Sequence, residues 1–168
     1  MPTNLELKAK IASMPRALGI AKKIARTGAT LLQTDMYFRV RNGRLKLREC
    51  LGASPELIYY ERNEKKGDRW STYHSYPLMR KHGLREILEK SIGKRVLVKK
   101  KRRLYFYKNA RIHLDTVSSL GLFVEFEVVV RKERKQAKSV LAELVELFKI
   151  RDADLIRSSY ADLIEKRL

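Results

Sequence analysis

Thiols are almost missing from this 168-residue chain, which holds a single cysteine, Cys50. One cysteine can build neither an internal disulfide nor a multi-thiolate metal site, and it fits a reducing, cytoplasmic setting. Long apolar runs are missing too. None approaches the ~18 residues that span a bilayer, and at the start Leu5, Leu7 and Ile11 alternate with Glu6, Lys8 and Lys10 where a signal peptide would be uniformly apolar. A soluble protein with no membrane span is expected. There is no internal repeat, low-complexity tract or linker, so residues 1–168 read as one domain. Neither a phosphate-binding Gly-x-x-x-x-Gly-Lys-Ser/Thr loop nor a dinucleotide fingerprint is present. Acidic residues are scarce: 19 Asp plus Glu face 38 Lys plus Arg, a net charge of +19. That balance predicts attraction to polyanions such as nucleic acid, polyphosphate, nucleotides or an anionic surface.

What is present is alternation. Gly43 to Glu49 puts Arg44, Lys46 and Arg48 on one face of a strand and Leu45 and Leu47 on the other. The pattern recurs in four other segments, and extended stretches over residues 3–11, 30–41, 57–62, 69–74, 95–108, 111–117 and 122–130 bring the expectation to about eight strands. Asn42-Gly43 is the strongest hairpin signal, with further turns at Gly52 to Pro55, Gly67-Asp68, Lys108 to Ala110 and Leu120-Gly121. Helices are expected from Ser13 to a stop at Gly28, from Pro77 to Gly93, over Gln136–Lys149 and over Ser159–Lys166. Many strands joined by hairpins, with helices added, predict an α+β fold built on an eight-stranded antiparallel β-barrel with a lumen that side chains line.

The polar face of each strand supplies the candidate site. Glu6, Lys8 and Lys10 share a face, as do Lys46 with Arg48, Tyr60 with Arg62, Lys100 with Arg102, and Arg111 with His113 and Asp115. In residues 122–130 both faces are apolar except for Glu125 and Glu127, and a buried carboxylate is costly unless it is paired or metal-bound. These glutamates either bridge to lysines inside a barrel or, with Asp115 or Glu6 beside them, hold a hard divalent cation, Mg²⁺ or Mn²⁺. Converging cations need an anion to offset their repulsion, and a polyphosphate chain has the charge and length to do so.

In order along the chain stand Asn4-Leu5-Glu6-Leu7-Lys8, Gln33-Thr34-Asp35-Met36-Tyr37-Phe38, Gly43 to Glu49, Tyr60-Glu61-Arg62, Lys100-Lys101-Arg102, Arg111 to Asp115, Glu125-Phe126-Glu127 and Ser159 to Leu163. Together they resemble the CYTH domain, the triphosphate tunnel metalloenzymes that include class IV adenylate cyclases and thiamine triphosphatase. The resemblance implies a barrel tunnel and a metal held by Glu6, Glu125, Glu127 and Asp115. It places a triphosphate along Lys8, Lys10, Lys46, Arg48, Arg62, Lys100, Arg102 and Arg111, with Lys8, Glu6 and Glu125 catalytic. It implies hydrolysis of a triphosphate or, as the alternative, cyclisation of ATP to cyclic AMP; a non-catalytic module that binds polyphosphate, nucleotide or RNA is the further reading. Asn4 departs from the family's Glu-x-Glu-x-Lys by standing where the first glutamate is expected, which weakens a second metal site.

Other residues are expected to do less. Ser71 and Tyr73 resemble positions near the substrate; His74 and His82 read as surface residues, His113 as a supporting partner and Cys50 as a packed side chain. Lys99, Lys101 and Arg103 should point outward, where with Tyr105 and Tyr107 they could contact RNA or DNA through phosphates and stacking, or form a solvated face. Monomer or homodimer is left open.

Overall fold

A computed structural model describes residues 3–62, 68–79, 83–130 and 133–167, with Arg62 described for its backbone only. Thirteen elements follow the chain: β1 (Thr3–Lys10), α1 (Met14–Ile24), β2 (Arg26–Phe38), β3 (Arg44–Cys50), β4 (Glu56–Arg62), β5 (Arg69–Pro77), α2 (Leu84–Ser91), β6 (Lys94–Tyr107), β7 (Ala110–Val117), β8 (Gly121–Val129), α3 (Arg134–Phe148), a 3-10 turn (Asp152–Asp154) and α4 (Tyr160–Glu165). The strands close into a barrel in the order β1-β5-β4-β3-β2-β6-β7-β8, with every neighbouring pair antiparallel. The eight-stranded antiparallel barrel with flanking helices is therefore as expected.

Because side chains alternate across a strand, each stave offers one face to the lumen and one to the outer layer. On the outside, Leu5, Ala9, Ile112, Leu114, Val124, Phe126 and Val128 pack against Met14, Ala17 and Ala21 of α1 and Val140, Leu144 and Phe148 of α3. A second outer cluster, Met36, Phe38 and Leu47, lies under Leu88 of α2 with Leu45 and Leu97 beside it. The third cluster is inside. Tyr160 and Ala161 of α4 meet Tyr37, Ile58, Tyr60, Val96, Val98 and Phe123, so α4 fills one end of the barrel. A capping box between Ser159 and Asp162 starts that helix, and Arg44 and Arg95 hold Asp162 at 3.1 and 2.8 Å.

Four boundaries differ from the sequence expectation. Helix α1 ends at Ile24, and Gly28 lies within β2, where an added Cβ would meet Phe106 at 2.8 Å and the Leu104 carbonyl oxygen at 2.9 Å; the glycine permits close approach of β2 to β6 beside a bulge rather than stopping a helix. The β2–β3 connection is longer than a two-residue Asn-Gly turn, because Arg39 leaves the hairpin ladder and donates its N–H to the Gly93 carbonyl. Gly43, at φ +63°, then leads into β3. Pro77 ends β5 opposite Glu56 instead of starting a helix; it has no N–H to give the ladder, the Leu78 N–H bonds the Pro55 carbonyl just beyond it, and α2 begins at Leu84. Ser159 is the cap of α4, not its first turn. The expected turn at Gly67 and the side chains of His82 and Arg62 lie outside the described residues.

Candidate functional site

The inward faces line a cavity of about 450 Å³ that runs from Tyr160 and Ser159 at the α4 end to Leu31, Leu104, Glu56 and Ser75 at the other. Its polar wall is set by strand register. In one row across β1, β8 and β7, Lys8 stands beside Glu125 and Glu125 beside His113; in the next, Glu6 stands beside Glu127 and Glu127 beside Arg111. Lys46 and Arg48 on β3, Asp35 on β2 and Lys100 and Arg102 on β6 complete the ring.

Two centres of opposite character result. At the basic centre, the Asp35 carboxylate accepts from Lys46 at 3.1 Å, Arg48 at 3.0 Å, Lys100 at 3.5 Å and the Gln33 amide at 3.0 Å. Burial would raise the Asp35 pKa, but the Arg48, Lys46 and Lys100 charges hold it well below the usual carboxylate range. One carboxylate cannot neutralise three cations. Burial, with Arg48 beside it, accordingly brings Lys46 down to about 7 against the pull of Asp35, and burial together with Arg102 lowers Lys100.

At the acidic centre, Glu125 accepts from Arg102 at 2.8 Å and lies 3.6 Å from both Lys8 and His113 Nδ1, while Glu127 pairs with Arg111 at 3.0 Å. Burial opposes ionisation of both glutamates; Lys8, the His113 contact and Arg102 overcome it for Glu125, and His113 and Arg111 for Glu127, so both stay below the ordinary range. Asp115 links the centres. It takes a two-pronged bond from Arg102 at 2.8 and 2.6 Å and a hydrogen bond from the Tyr160 hydroxyl at 2.9 Å. Lys8 Nζ sits 4.0 Å from the centre of the Tyr160 ring.

Among the described residues, one donor group suits a cation. His113, Glu125 and Glu127 offer ligand atoms that lie within 4.8 Å of one another. Asn4 lines the same cavity, and its buried Oδ1 has no hydrogen-bond partner among the described residues. Two carboxylates and an imidazole are a donor set that Mg²⁺ or, with the nitrogen, Mn²⁺ accepts, and Asn4 stands opposite Val129, one inward row beyond Glu6 and Glu127.

Most of the expected residues reach the lumen, and some land elsewhere. Glu6, Lys8, Lys46, Arg48, Lys100, Arg102, Arg111, Glu125 and Glu127 all line the cavity. Lys10 is exposed at the end of β1, where the strand leaves the barrel, and is not among the lining residues. Asp115 is fully buried with its carboxylate engaged by Arg102 and Tyr160, outside the group formed by His113, Glu125 and Glu127. His113, expected only in support, sits within that group. Ser71 donates to Glu6, Tyr73 lines the cavity, His74 is exposed and Cys50 is half-buried on β3. Asp35 and Tyr160 received no role from the sequence. Asp35 shares its face with Tyr37 opposite Met36 and Phe38, which marks it as inward, but the three cations gathered on it come from two other strands.

A closed antiparallel barrel whose lumen carries a cation-rich centre and an acidic centre is the frame of a tunnel protein that handles a polyanion. The chain belongs to the CYTH domain family, whose model matches residues 3–160. Among solved structures, it is similar to the PH1012 protein of Pyrococcus horikoshii OT3, with a TM-score of 0.85 and 19% identity over 95% of this chain and 98% of that one. A conserved hypothetical protein from Pyrococcus furiosus has a TM-score of 0.83 and 20% identity, over 95% of this chain and 99% of that one. A putative adenylate cyclase from Vibrio parahaemolyticus has a TM-score of 0.76 and 20% identity, over 96% and 97%. At these identities the likeness is one of fold. Comparison with curated proteins gives no match. No helix among the described residues is long and apolar enough to cross a membrane.

Proposed function

We propose that this protein is a divalent-cation-dependent enzyme that hydrolyses a triphosphate-bearing substrate inside the tunnel. The carrying observation is the basic centre: Lys46, Arg48 and Lys100 share one carboxylate, in the same cavity as the group His113, Glu125 and Glu127. Three cations on one carboxylate leave positive charge that a phosphate chain would offset.

In this reading Arg48 and Arg102, held in place by Asp35 and Asp115, offer their remaining N–H groups to phosphate oxygens, and Lys46 and Lys100 act as point charges. Glu125 and Glu127, joined by His113, would hold Mg²⁺ or Mn²⁺, which supplies Lewis-acid polarisation of the phosphate when bound. Glu6, one oxygen of which is fixed by Ser71, accepts the proton of the attacking water. Lys8, stationed between Glu125 and the Tyr160 ring, stabilises charge on the departing phosphate. Arg111 orients Glu127. Membership of the CYTH family supports this reading, as does the geometry. The putative adenylate cyclase among the similar structures motivates cyclisation of ATP as the alternative.

The test is turnover of tripolyphosphate, ATP and thiamine triphosphate with Mg²⁺ or Mn²⁺, following phosphate, pyrophosphate and cyclic AMP. Glu125→Gln and Glu127→Gln should each lower kcat at least ~100-fold while the protein stays folded, as loss of electrostatic groups at a reacting centre does. Release of phosphate supports hydrolysis; cyclic AMP with pyrophosphate would select the cyclase. Turnover no greater than in the variants would leave only a binding role.

A further inference from the structure

The tunnel does not account for the charge of this protein. Among the described inward side chains, Lys8, Lys46, Arg48, Lys100 and Arg102, with Arg69 and Arg111, face the six carboxylates Glu6, Asp35, Glu56, Asp115, Glu125 and Glu127. The lumen therefore holds about one of the nineteen excess positive charges, and the rest lie outside it.

They are not spread evenly. Elements α1, β2, β6 and β7 contain two carboxylates in all, Asp35 and Asp115, and both are buried inside the barrel. The outer side of those four elements carries no acidic residue, and the carboxylate next to it, Glu49 on β3 opposite Thr34, is already paired with Arg85 at 2.6 Å. On β6 the outward positions run from Leu97, covered by α2, through Lys99, Lys101 and Arg103 to Tyr105, buried with the residues of α1 and α3. Between the two helical covers the wall is bare. Lys99, Lys101 and Arg103 stand on it, each opposite a neutral residue of β2: Thr34, Leu32 and Thr30. Across β7 they meet Thr116 and Leu114. No carboxylate among the described residues pairs with any of the three, and Arg103 Nη1 is buried without a hydrogen-bond partner. Helix α1 extends the same side of the barrel with exposed Arg16, Lys22 and Lys23.

We propose that this bare wall of β2 and β6 docks the sugar-phosphate backbone of a nucleic acid. Alternate residues of a strand are ~6.7 Å apart, so the three cations form a line of ~13 Å that only an extended polyanion can follow. A free triphosphate finds a deeper, denser site in the tunnel. The face also has an apolar component. Leu32 is 51% exposed and Leu51 80% exposed, and the Leu51 N–H donates to the Leu32 carbonyl, so they adjoin. A sugar or base contacts such leucines; an inorganic polyphosphate chain does not. Tyr105 is buried and the Tyr107 hydroxyl is bound to Glu143, so neither is free to stack on a base, contrary to the sequence expectation. Binding should therefore be independent of base sequence and carried by phosphates.

The proposal is independent of catalysis in the tunnel. Measure binding of a 20-base-pair mixed-sequence duplex from 50 to 200 mM salt by anisotropy, for the wild type and for Lys99→Ala/Lys101→Ala/Arg103→Ala. Each duplex phosphate contact contributes about −0.9 to the slope of log K against log salt. The triple variant should lose ~2.7 of that slope, which is ~40-fold of affinity change across this range, with unchanged binding of tripolyphosphate. Lys99→Gln/Lys101→Gln, which keeps the half-buried Arg103, should lose ~1.8 if the triple variant folds poorly. Equal slopes in wild type and variants overturn the proposal. So does displacement of the duplex by stoichiometric tripolyphosphate, which would place it at the tunnel. Equal or tighter binding of long-chain polyphosphate, or of phosphatidylserine vesicles without duplex binding, also overturns it.

Discussion

When tripolyphosphate enters the tunnel, Lys46 should take up a proton. Its amine is buried, beside Arg48, 3.1 Å from an Asp35 carboxylate already shared with two other cations, and is brought from 10.5 down to about 7. At pH 8.5 a group with that pKa is ~3% protonated, and at pH 6 ~90%. A polyanion alongside returns the amine towards its ordinary value, so binding at pH 8.5 should consume about one proton through this residue and at pH 6 only ~0.1. The same linkage weakens apparent affinity by up to ~10-fold per pH unit between about 7.5 and 9.5. Calorimetry in two buffers of different ionisation enthalpy counts the protons. Lys46→Gln supplies the reference, because the protonation of the ligand itself is common to both proteins. Equal uptake by wild type and variant at pH 8.5 would refute the reasoning. The sign for the empty protein runs the other way. A lysine whose folded pKa lies below its unfolded value destabilises the fold fully below about 7, and the penalty fades as pH rises towards 10.5. Ligand-free Lys46→Gln should thus melt above wild type at pH 6.5 and lose that advantage by pH 10.

Two further perturbations probe the same frame. Asp35→Asn strips Lys46, Arg48 and Lys100 of their shared counter-charge and should lower stability by ~3–5 kcal/mol in urea, with tripolyphosphate restoring part of it; an unchanged midpoint would mean that solvent already screens these cations. Asp162→Asn removes the charge that pairs with Arg44 and Arg95 and weakens the acceptor of the α4 capping box, and should cost ~1–2 kcal/mol at pH 7. Burial opposes the charge of Asp162, but bonds from Ser159 and Arg95 depress its pKa strongly. Its contribution should hold above pH ~4 and disappear as the solution is acidified further, so the gap between variant and wild type should narrow towards pH 3.

Strand alternation alone marks which charged side chains turn towards the lumen, with Lys10 the exception. Lys46 with Arg48, Lys100 with Arg102, and Glu125 with Glu127 face inward because a period of two leaves a strand only two faces; Leu47 and Phe126 claim the outer one on β3 and β8, and Leu97 and Tyr105 claim it at either side of Lys101 on β6. Helix ends were less legible. Gly28 and Pro77 look like punctuation for helices, yet each serves a strand: one allows a close approach to Phe106, the other ends a ladder. The boundary was settled by a partner strand distant in sequence.

Local pattern determined that this chain makes charged staves, that their cations outnumber their acids and that a polyanion is called for. Only the tertiary structure decided which charges meet. Asp35 gathers cations from β3 and β6, Arg102 ties Asp115 to Glu125, and Tyr160 arrives from the chain's last helix to close the lumen. Closure also removed Lys10 from the tunnel, buried Tyr105 under the helices and left Lys99 and Lys101 on a bare wall. The reason is physical. A side chain's face follows from its neighbours in sequence, whereas its electrostatic partners follow from barrel order, and Coulomb energy depends on distances that only closure sets.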